Sequence, residues 1–402
     1  MDNQPDLPLI SVIIPVRNSP EQVKACLTSL RKTTYSNFEV IVVDDASTDV
    51  TPEVLIALGA RSLRMERNVG PAAARNRGAE VARGEYLLFI DADVCVQPGT
   101  VAEFVATFER DPELSAVFGS YDLQPAAQNL LSQYRNLFHH FVHQDGHTES
   151  TTFWAGCGAV RRSAFQGVGG FDANITRPCI EDIELGVRLR KAGCRIKLNK
   201  RIQVKHLKKW TLWTMLRADI RDRALPWTEL ILQQHHMPDD LNLKMSQRVC
   251  TILSFGLLGM LVLGAWYFHG LLLLPFLSLL CMLMVDYWSR FDRIPNPFRV
   301  LAVLVLLGAV GAMSYYFRMW TLVVLALLLG IVLINLRFYR FFAQERHPLF
   351  AAVVVPLHVL YYVYCGAAFA TGIWLYVWRN KLRSIRARFH GGGKAKAMGT
   401  SQ

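Results

Sequence analysis

The chain has 402 residues, a formal net charge of +12 and eight cysteines with no Cys-x-x-Cys spacing. That length suggests two or three units. The cysteine pattern excludes a zinc or disulfide framework and reads as reduced, mostly buried thiols. Composition changes near residue 248, from a mixed half to long apolar stretches with almost no charge. The opening Met-Asp-Asn-Gln-Pro-Asp is polar and acidic, so no cleavable signal peptide is expected. The basic excess is local. Seven Lys/Arg and no acid lie from Arg379 to the end, and eleven Lys/Arg against Asp219 and Asp222 lie between Lys191 and Arg223. Beside apolar segments such clusters favour an anionic cytoplasmic leaflet. They fit nucleic acid poorly, because the basic tail abuts an apolar span.

Leu9 to Pro15 reads as a strand. Val23, Leu27 and Leu30 share one face of a helix over 20–32, with Pro20 among its first residues. Phe38 to Val43 reads as a buried second strand, and Asp49 as the cap of a helix to Leu58 that Gly59 stops. A third strand over 62–66, an Ala-rich helix from Pro71 to Arg83 and a fourth strand from Tyr86 to Ile90 follow. A helix from Pro98 to Glu109 and a fifth strand from Leu114 to Gly119 complete the series. This alternation predicts an α/β domain on a mainly parallel, doubly wound sheet, with its ligand beyond the carboxyl ends of the strands. Pro15, Asp44-Asp45 and Asp91-Asp93 all fall there. Asp91 and Asp93 are spaced i, i+2, which on a strand points both side chains to one side. Two carboxylates so placed make a hard-oxygen site suited to Mg²⁺ or Mn²⁺, with positions left for phosphates. Taken alone, such a pair is also what an ordinary solvated turn carries.

The ordered motifs carry more than any one of them. They are Ser11-Val12-Ile13-Ile14-Pro15-Val16-Arg17-Asn18, Ile41 to Asp49, Asn68 to Asn76, Phe89-Ile90-Asp91-Ala92-Asp93, Gly169-Gly170-Phe171-Asp172 and Ile180-Glu181-Asp182-Ile183-Glu184-Leu185. Over residues 8–210 the chain resembles the family 2 glycosyltransferases. The resemblance implies a GT-A fold that moves a sugar from a nucleotide diphosphate, a UDP- or GDP-sugar, with inversion. It places the nucleotide at Pro15, Arg17, Asn18, Asp44 and Asp45, and leaves open which aspartate accepts from the base. Arg75, on a helix that starts near the site, is the candidate ribose or phosphate contact. Asp93 is implied as the direct metal ligand, and Asp91 as a contact to the nucleotide or to a metal-bound water. His206, after strand-like Ile202-Gln203-Val204, is a further candidate ligand. Asp182 is the candidate general base. Trp154, Gly156 and Glu181 are expected to line the acceptor and sugar pocket, though a Trp in this setting is as readily a core residue.

Residues 211–235 interleave Trp213, Leu216 and Ile220 with Arg217, Arg221 and Arg223, an interfacial pattern. Arg221, Arg223 and Trp227 are expected at a lipid head group, with the arginines alternatively on a diphosphate. Val249–Tyr267, Leu271–Trp288, Val300–Phe317 and Trp320–Leu336 are each about 18–20 residues, long enough to span, and Leu349–Trp378 is a fifth, longer segment. The expected plan is a catalytic domain over 1–210, an amphipathic region over 211–248, an all-α transmembrane domain over 249–378, and a basic, disordered cytoplasmic tail over 379–402. Sugar nucleotides are cytosolic, so the catalytic half belongs on the cytoplasmic face of the inner or plasma membrane. Four spans keep both basic loops there. A fifth would put the basic tail outside, against the positive-inside rule, so its crossing stays open.

The function expected is transfer of one sugar to a lipid-linked or membrane-proximal hydroxyl. A processive polysaccharide synthase is an alternative, but Gln-x-x-Arg-Trp is absent and Arg221-Asp222-Arg223-Ala224-Leu225-Pro226-Trp227 stands in the equivalent place. A polyprenyl-phosphate sugar synthase is another, and Asp182 argues mildly against it because its acceptor is already an anion. A transporter is disfavoured, since Asp286 is the single charged residue within the apolar segments.

Overall fold

The computed structural model describes residues 7–234, 243–269 and 296–396. The chain divides into two compact units, the first taking in the chain to Lys244 and again from Tyr364, the second Met245–Val363. The first unit is a sheet clothed by helices. Its elements run β1 (Ile10–Val16), α1 (Pro20–Leu30), β2 (Phe38–Asp44), α2 (Thr51–Ala57), β3 (Ser62–Arg64), α3 (Pro71–Glu80), β4 (Tyr86–Ile90), β5 (Val94–Cys95), α4 (Thr100–Arg110) and β6 (Leu114–Tyr121). Then come α5 (Leu130–Asp145), β7 (Cys157–Arg161), α6 (Arg162–Gly167), α7 (Glu181–Lys191) and β8 (Arg195–His206).

Strand order is β3-β2-β1-β4-β7-β6-β8-β5. The first four strands are parallel, as the alternation predicts. β7 then runs antiparallel between β4 and β6, with Ile90 opposite Cys157, and β8 pairs parallel with β6. Alternate strand residues serve opposite layers. Ile10, Val12 and Ile14 pack with α1 and α4, while Ile13, Ile41 and Val43 pack with α3, α6 and α7. The strand ends reach the same edge because the strands are in register, Val16 opposite Asp44 and Asp44 opposite Arg64.

Beyond β8, α8 (Leu212–Arg217) passes into a π-helical turn over Ala218–Ala224 and then α9 (Leu225–Gln234). Pro226 lacks the N–H that an α-helix would aim at the Asp222 carbonyl, and the wider turn forms where that bond is missing. Asp219 is buried in this turn, paired with Arg135 of α5. The expected boundary at 210 therefore moves, because this segment and the chain from Tyr364 cluster with the catalytic domain.

In the second unit α10 (Met245–His269) lies against α11 (Asn296–Ile334). A Cβ on Gly264 would meet the Trp320 indole at 2.4 Å, and that indole donates to the Met260 carbonyl at 2.8 Å. α12 (Leu336–Glu345) follows, and then α13 (Pro348–Lys396). Three stretches are long and apolar enough to cross a membrane among the described residues: Met245–Tyr267, Tyr315–Ile334 and Pro348–Leu382. Two expectations change. Val300–Phe317 and Trp320–Leu336 were predicted as separate spans, yet α11 runs unbroken from Asn296 to Ile334. Arg318 and Met319 between them are strong helix formers with no Gly or Pro to stop the ladder. The tail predicted to be disordered is helical to Lys396, through Gly391, Gly392 and Gly393, a run that helix propensity does not explain. Leu271–Trp288 lies outside the described residues.

α7 approaches the loop before β7 so closely that a Cβ on Gly186 would stand 2.4 Å from the Phe153 backbone nitrogen. Gly186→Ala is expected to cost about 1–3 kcal/mol, the usual range for overpacking. A lowered midpoint of thermal unfolding is the measurement, and an unchanged midpoint would contradict this packing.

Candidate active site

The site forms where β1, β2 and β4 end. Asn18 and Ala46 stand in the loops after β1 and β2 with φ of 50° and 54°, a left-handed backbone rare outside glycine. The loops are tied together: the Asn18 N–H donates to Ser47 Oγ at 3.0 Å, and Asn18 Oδ1 accepts the Thr48 N–H at 2.8 Å. Pro15 is half-buried and Arg17 exposed beside them. Asp44 Oδ1 accepts the Ser47 N–H at 2.9 Å, while its Oδ2 is buried without a hydrogen bond, 3.7 Å from Arg64 Nη1. Asp45 spends both oxygens on backbone, accepting from Val69 at 2.7 Å and Gly70 at 2.9 Å. It thereby pins the loop that launches α3. Asp49 Oδ1 accepts the Thr51 N–H at 3.0 Å, at the head of α2.

Arg75 departs from expectation. It is 4% exposed, and its guanidinium bridges Asp91 Oδ1 at 2.7 Å and Glu181 Oε1 at 2.9 Å. Both of its terminal nitrogens are engaged by protein carboxylates. Glu181 is likewise engaged, its second oxygen accepting the Cys179 N–H at 2.8 Å. Asp91 and Asp93 also part company. β4 ends at Ile90 and a turn follows, so strand alternation no longer applies. Asp91 faces Arg75. Asp93 Oδ2 faces His206 Nε2 at 3.6 Å, because β5 pairs with β8 in the register Val94 to His206. Burial pushes the Asp91 carboxyl up, against the Arg75 charge. For Asp93 burial pushes up as well, but the hydrogen bond and charge of His206 and the charge of Lys208 outweigh it and hold the carboxyl below its ordinary value.

Among the described residues no cluster of three or more His, Cys, Asp or Glu side chains is arranged to hold a metal ion. Asp93 and His206 nevertheless fit as two ligands of one ion, since ligands at about 2.1 Å from a shared cation lie roughly 3–4 Å apart. The remaining positions would be left to a substrate and water.

Asp182 stands second on α7. Its Oδ2 accepts the Ala155 N–H at 3.2 Å and its Oδ1 its neighbour Ile183 N–H at 2.8 Å. Burial, then the Glu181 charge, push its carboxyl up to about 7, with Arg75, the Ala155 N–H and Arg223 pulling the other way. Arg223 is exposed on the π-helical turn, as is Arg221, with Trp227 half-buried on α9.

The sequence reading missed a wall of rings. His206 stacks on Tyr121 (centroids 4.1 Å apart), Tyr121 meets His139 at 4.5 Å, and His139 meets Trp154 at 5.0 Å. Trp154 is half-buried, lying over Gly156, where a Cβ would come 2.5 Å from the indole. Four of eleven histidines fall within residues 139–147, and Arg135, His139 and His143 lie four apart on one face of α5. That spacing was the available signal.

Removing the cation would strand buried carboxylate charge. Arg75→Met is expected to destabilise by about 3–5 kcal/mol, and by clearly less when made in a Glu181→Gln background. Urea unfolding of the four chains of this cycle measures the coupling, and strict additivity would refute a direct pair.

Residues 11–169 match glycosyl transferase family 2, and residues 135–210 match the N-terminal domain of galactosyltransferase. An uncharacterized glycosyltransferase of Haemophilus influenzae is 37% identical over 111 residues, 27% of this chain and 38% of that protein. The pre-mycofactocin glycosyltransferase of Mycobacterium tuberculosis is 32% identical over 209 residues, 49% of this chain and 42% of that protein. The chain thus spans less than half the length of these relatives. The mannosyltransferase PcManGT of Pyrobaculum calidifontis, solved with GDP-Man and Mn²⁺, is 19% identical over 82% of this chain and 87% of that one, with a TM-score of 0.45. The family match spans β1 to β7 and takes in the strand ends that carry Asp44, Asp91 and Asp93, and the N-terminal part of this chain is a family 2 glycosyltransferase domain.

Proposed function

We propose that the protein transfers one sugar, with inversion, from a UDP- or GDP-sugar to a hydroxyl presented at a membrane surface. The observation that carries this reading is Asp182, a carboxylate held at about 7. A general base works best when its pKa lies near the working pH. Asp182 takes the acceptor hydroxyl proton as the new glycosidic bond forms, and its two backbone hydrogen bonds fix its aim. The Glu181 charge keeps the proton affinity of Asp182 high, and Arg75 holds Glu181 in place.

The loops after β1 and β2, with Asp44 and Asp45, hold the nucleotide on the donor side. Asp93 and His206 would hold a divalent cation, Mg²⁺ or Mn²⁺. When bound, that ion neutralises the departing diphosphate as a Lewis acid. Trp154 offers a half-buried ring face on which a sugar can lie. The apolar helices suit attachment to the inner or plasma membrane, and cytosolic donors put the catalytic domain on the cytoplasmic side. A lipid-linked acceptor follows from that setting.

Two outcomes test this. Log kcat/KM for a hydroxyl acceptor should rise with pH at about one unit per unit and level off near pH 7, because the base acts only when deprotonated. Asp182→Asn should lose transfer and this limb while calorimetry still finds donor affinity. Lost donor affinity would move Asp182 to the donor side, and a full rate for Asp182→Asn on a phosphate acceptor would favour a polyprenyl-phosphate sugar synthase. Asp93→Asn should lower turnover about 10²-fold, the usual loss of one well-placed electrostatic stabiliser. Wild-type turnover undiminished in excess EDTA would overturn metal dependence.

A further inference from the structure

The charge pattern leaves the crossing of the last apolar stretch open, and contacts within the first unit bear on it. From Tyr364 onward α13 lies along the segment that follows the catalytic sheet. The Tyr364 hydroxyl donates to Asp219 at 2.7 Å, a Cβ on Gly372 would stand 2.8 Å from that of Thr228, and Arg379 Nη1 donates to Glu229 at 3.2 Å. These contacts advance together along both segments, so the two run side by side. Tyr364, Ala368 and Gly372, spaced one helical turn apart, form the buried face. Asp219 in turn pairs with Arg135 on α5, and α5 is held to β6 through His140 on the Tyr121 carbonyl at 2.7 Å and His143 on the Gly119 carbonyl at 3.1 Å. Residues 364–379 are therefore occupied against the catalytic domain's own elements and end in an ion pair.

What is left upstream is too short. Leu349 to Val363 is 15 residues, about 22 Å of helix at 1.5 Å per residue, against a hydrocarbon core of about 30 Å. The outward face has the chemistry of an interface. Trp374, Val377 and Trp378 are 60%, 57% and 50% exposed, and seven Lys/Arg with no acid follow from Arg379. Exposed aromatic rings beside a basic run suit a helix that lies in the plane of an anionic leaflet.

We propose that α13 does not cross the membrane but lies along its surface on the catalytic-domain side, outward stripe against anionic lipid, leaving the basic tail on that same side. The proposal rests on the reading that the chain is membrane-bound.

The test uses the full chain with a protease site inserted between Arg346 and His347, one epitope before Met1 and another after Gln402, in sealed inside-out and right-side-out vesicles. The expected result is that the inserted site and both epitopes are digested in inside-out vesicles and protected in right-side-out ones. Finding the 346–347 site and the C-terminal epitope on opposite sides would overturn the proposal. Should the insertion abolish folding, His347→Cys labelled with a membrane-impermeant maleimide polymer gives the same reading against the wild-type cysteine background. A chain with all three positions on one side but no sugar transfer would count against the proposed reaction and leave the topology standing.

Discussion

One buried guanidinium holds the site together. Arg75 reaches from α3 to the end of β4 and to the start of α7, pairing Asp91 and Glu181 at once. Arg75 and Glu181 sit where water cannot solvate them well, so each is tolerable only because the other is present. A Lys could not serve. Its single ammonium cannot present two nitrogens to two separate carboxylates, whereas the planar fork of Arg can. The consequences spread outward from this bridge. It fixes Glu181, whose charge lifts Asp182, and it takes up Asp91, while Asp93 faces His206.

The first half of the sheet was legible because its signals are local. Apolar runs closed by Pro15, Asp44 and Asp91 read directly as strands, and helical periodicity placed α1 and α4 within two residues at either end. What failed was long-range. Arg75 and Glu181 are 106 positions apart, and nothing in either local sequence announces their pairing. The sequence reading therefore gave each a ligand role without the partner that the fold supplies. The i, i+2 argument for Asp91 and Asp93 failed for a different reason. It needed the strand to continue three residues further than it does, to Asp93, and a turn carries both carboxylates instead.

β7, β8 and α5 carry the other half of the site, and none of them was read in full. β7 returns antiparallel between two strands of opposite sense, an arrangement that alternation along the chain does not suggest. Its consequence is chemical, because it brings the backbone of Trp154 to Cys157 beside Asp91, with the Asp91 N–H donating to the Gly156 carbonyl at 3.1 Å. The pair of β5 and β8 is only two residues long, yet it sets His206 opposite Val94, next to Asp93. Irregular pieces of the sheet thus position more of the chemistry than its regular core does.

The left-handed residues Asn18 and Ala46 carry a last implication. A non-glycine residue in that conformation costs roughly 1–2 kcal/mol, and here two facing loops each hold one, clasped by Asn18, Ser47 and Thr48. The expense is met during folding, by the same core that orders β1 and β2. On the function proposed above, a donor arriving at this edge finds loops that are already shaped, so little of its binding energy goes into ordering backbone. Recognition at this corner is then closer to a rigid mould than to a closing hand, and whatever must move during turnover has to be found elsewhere in the molecule.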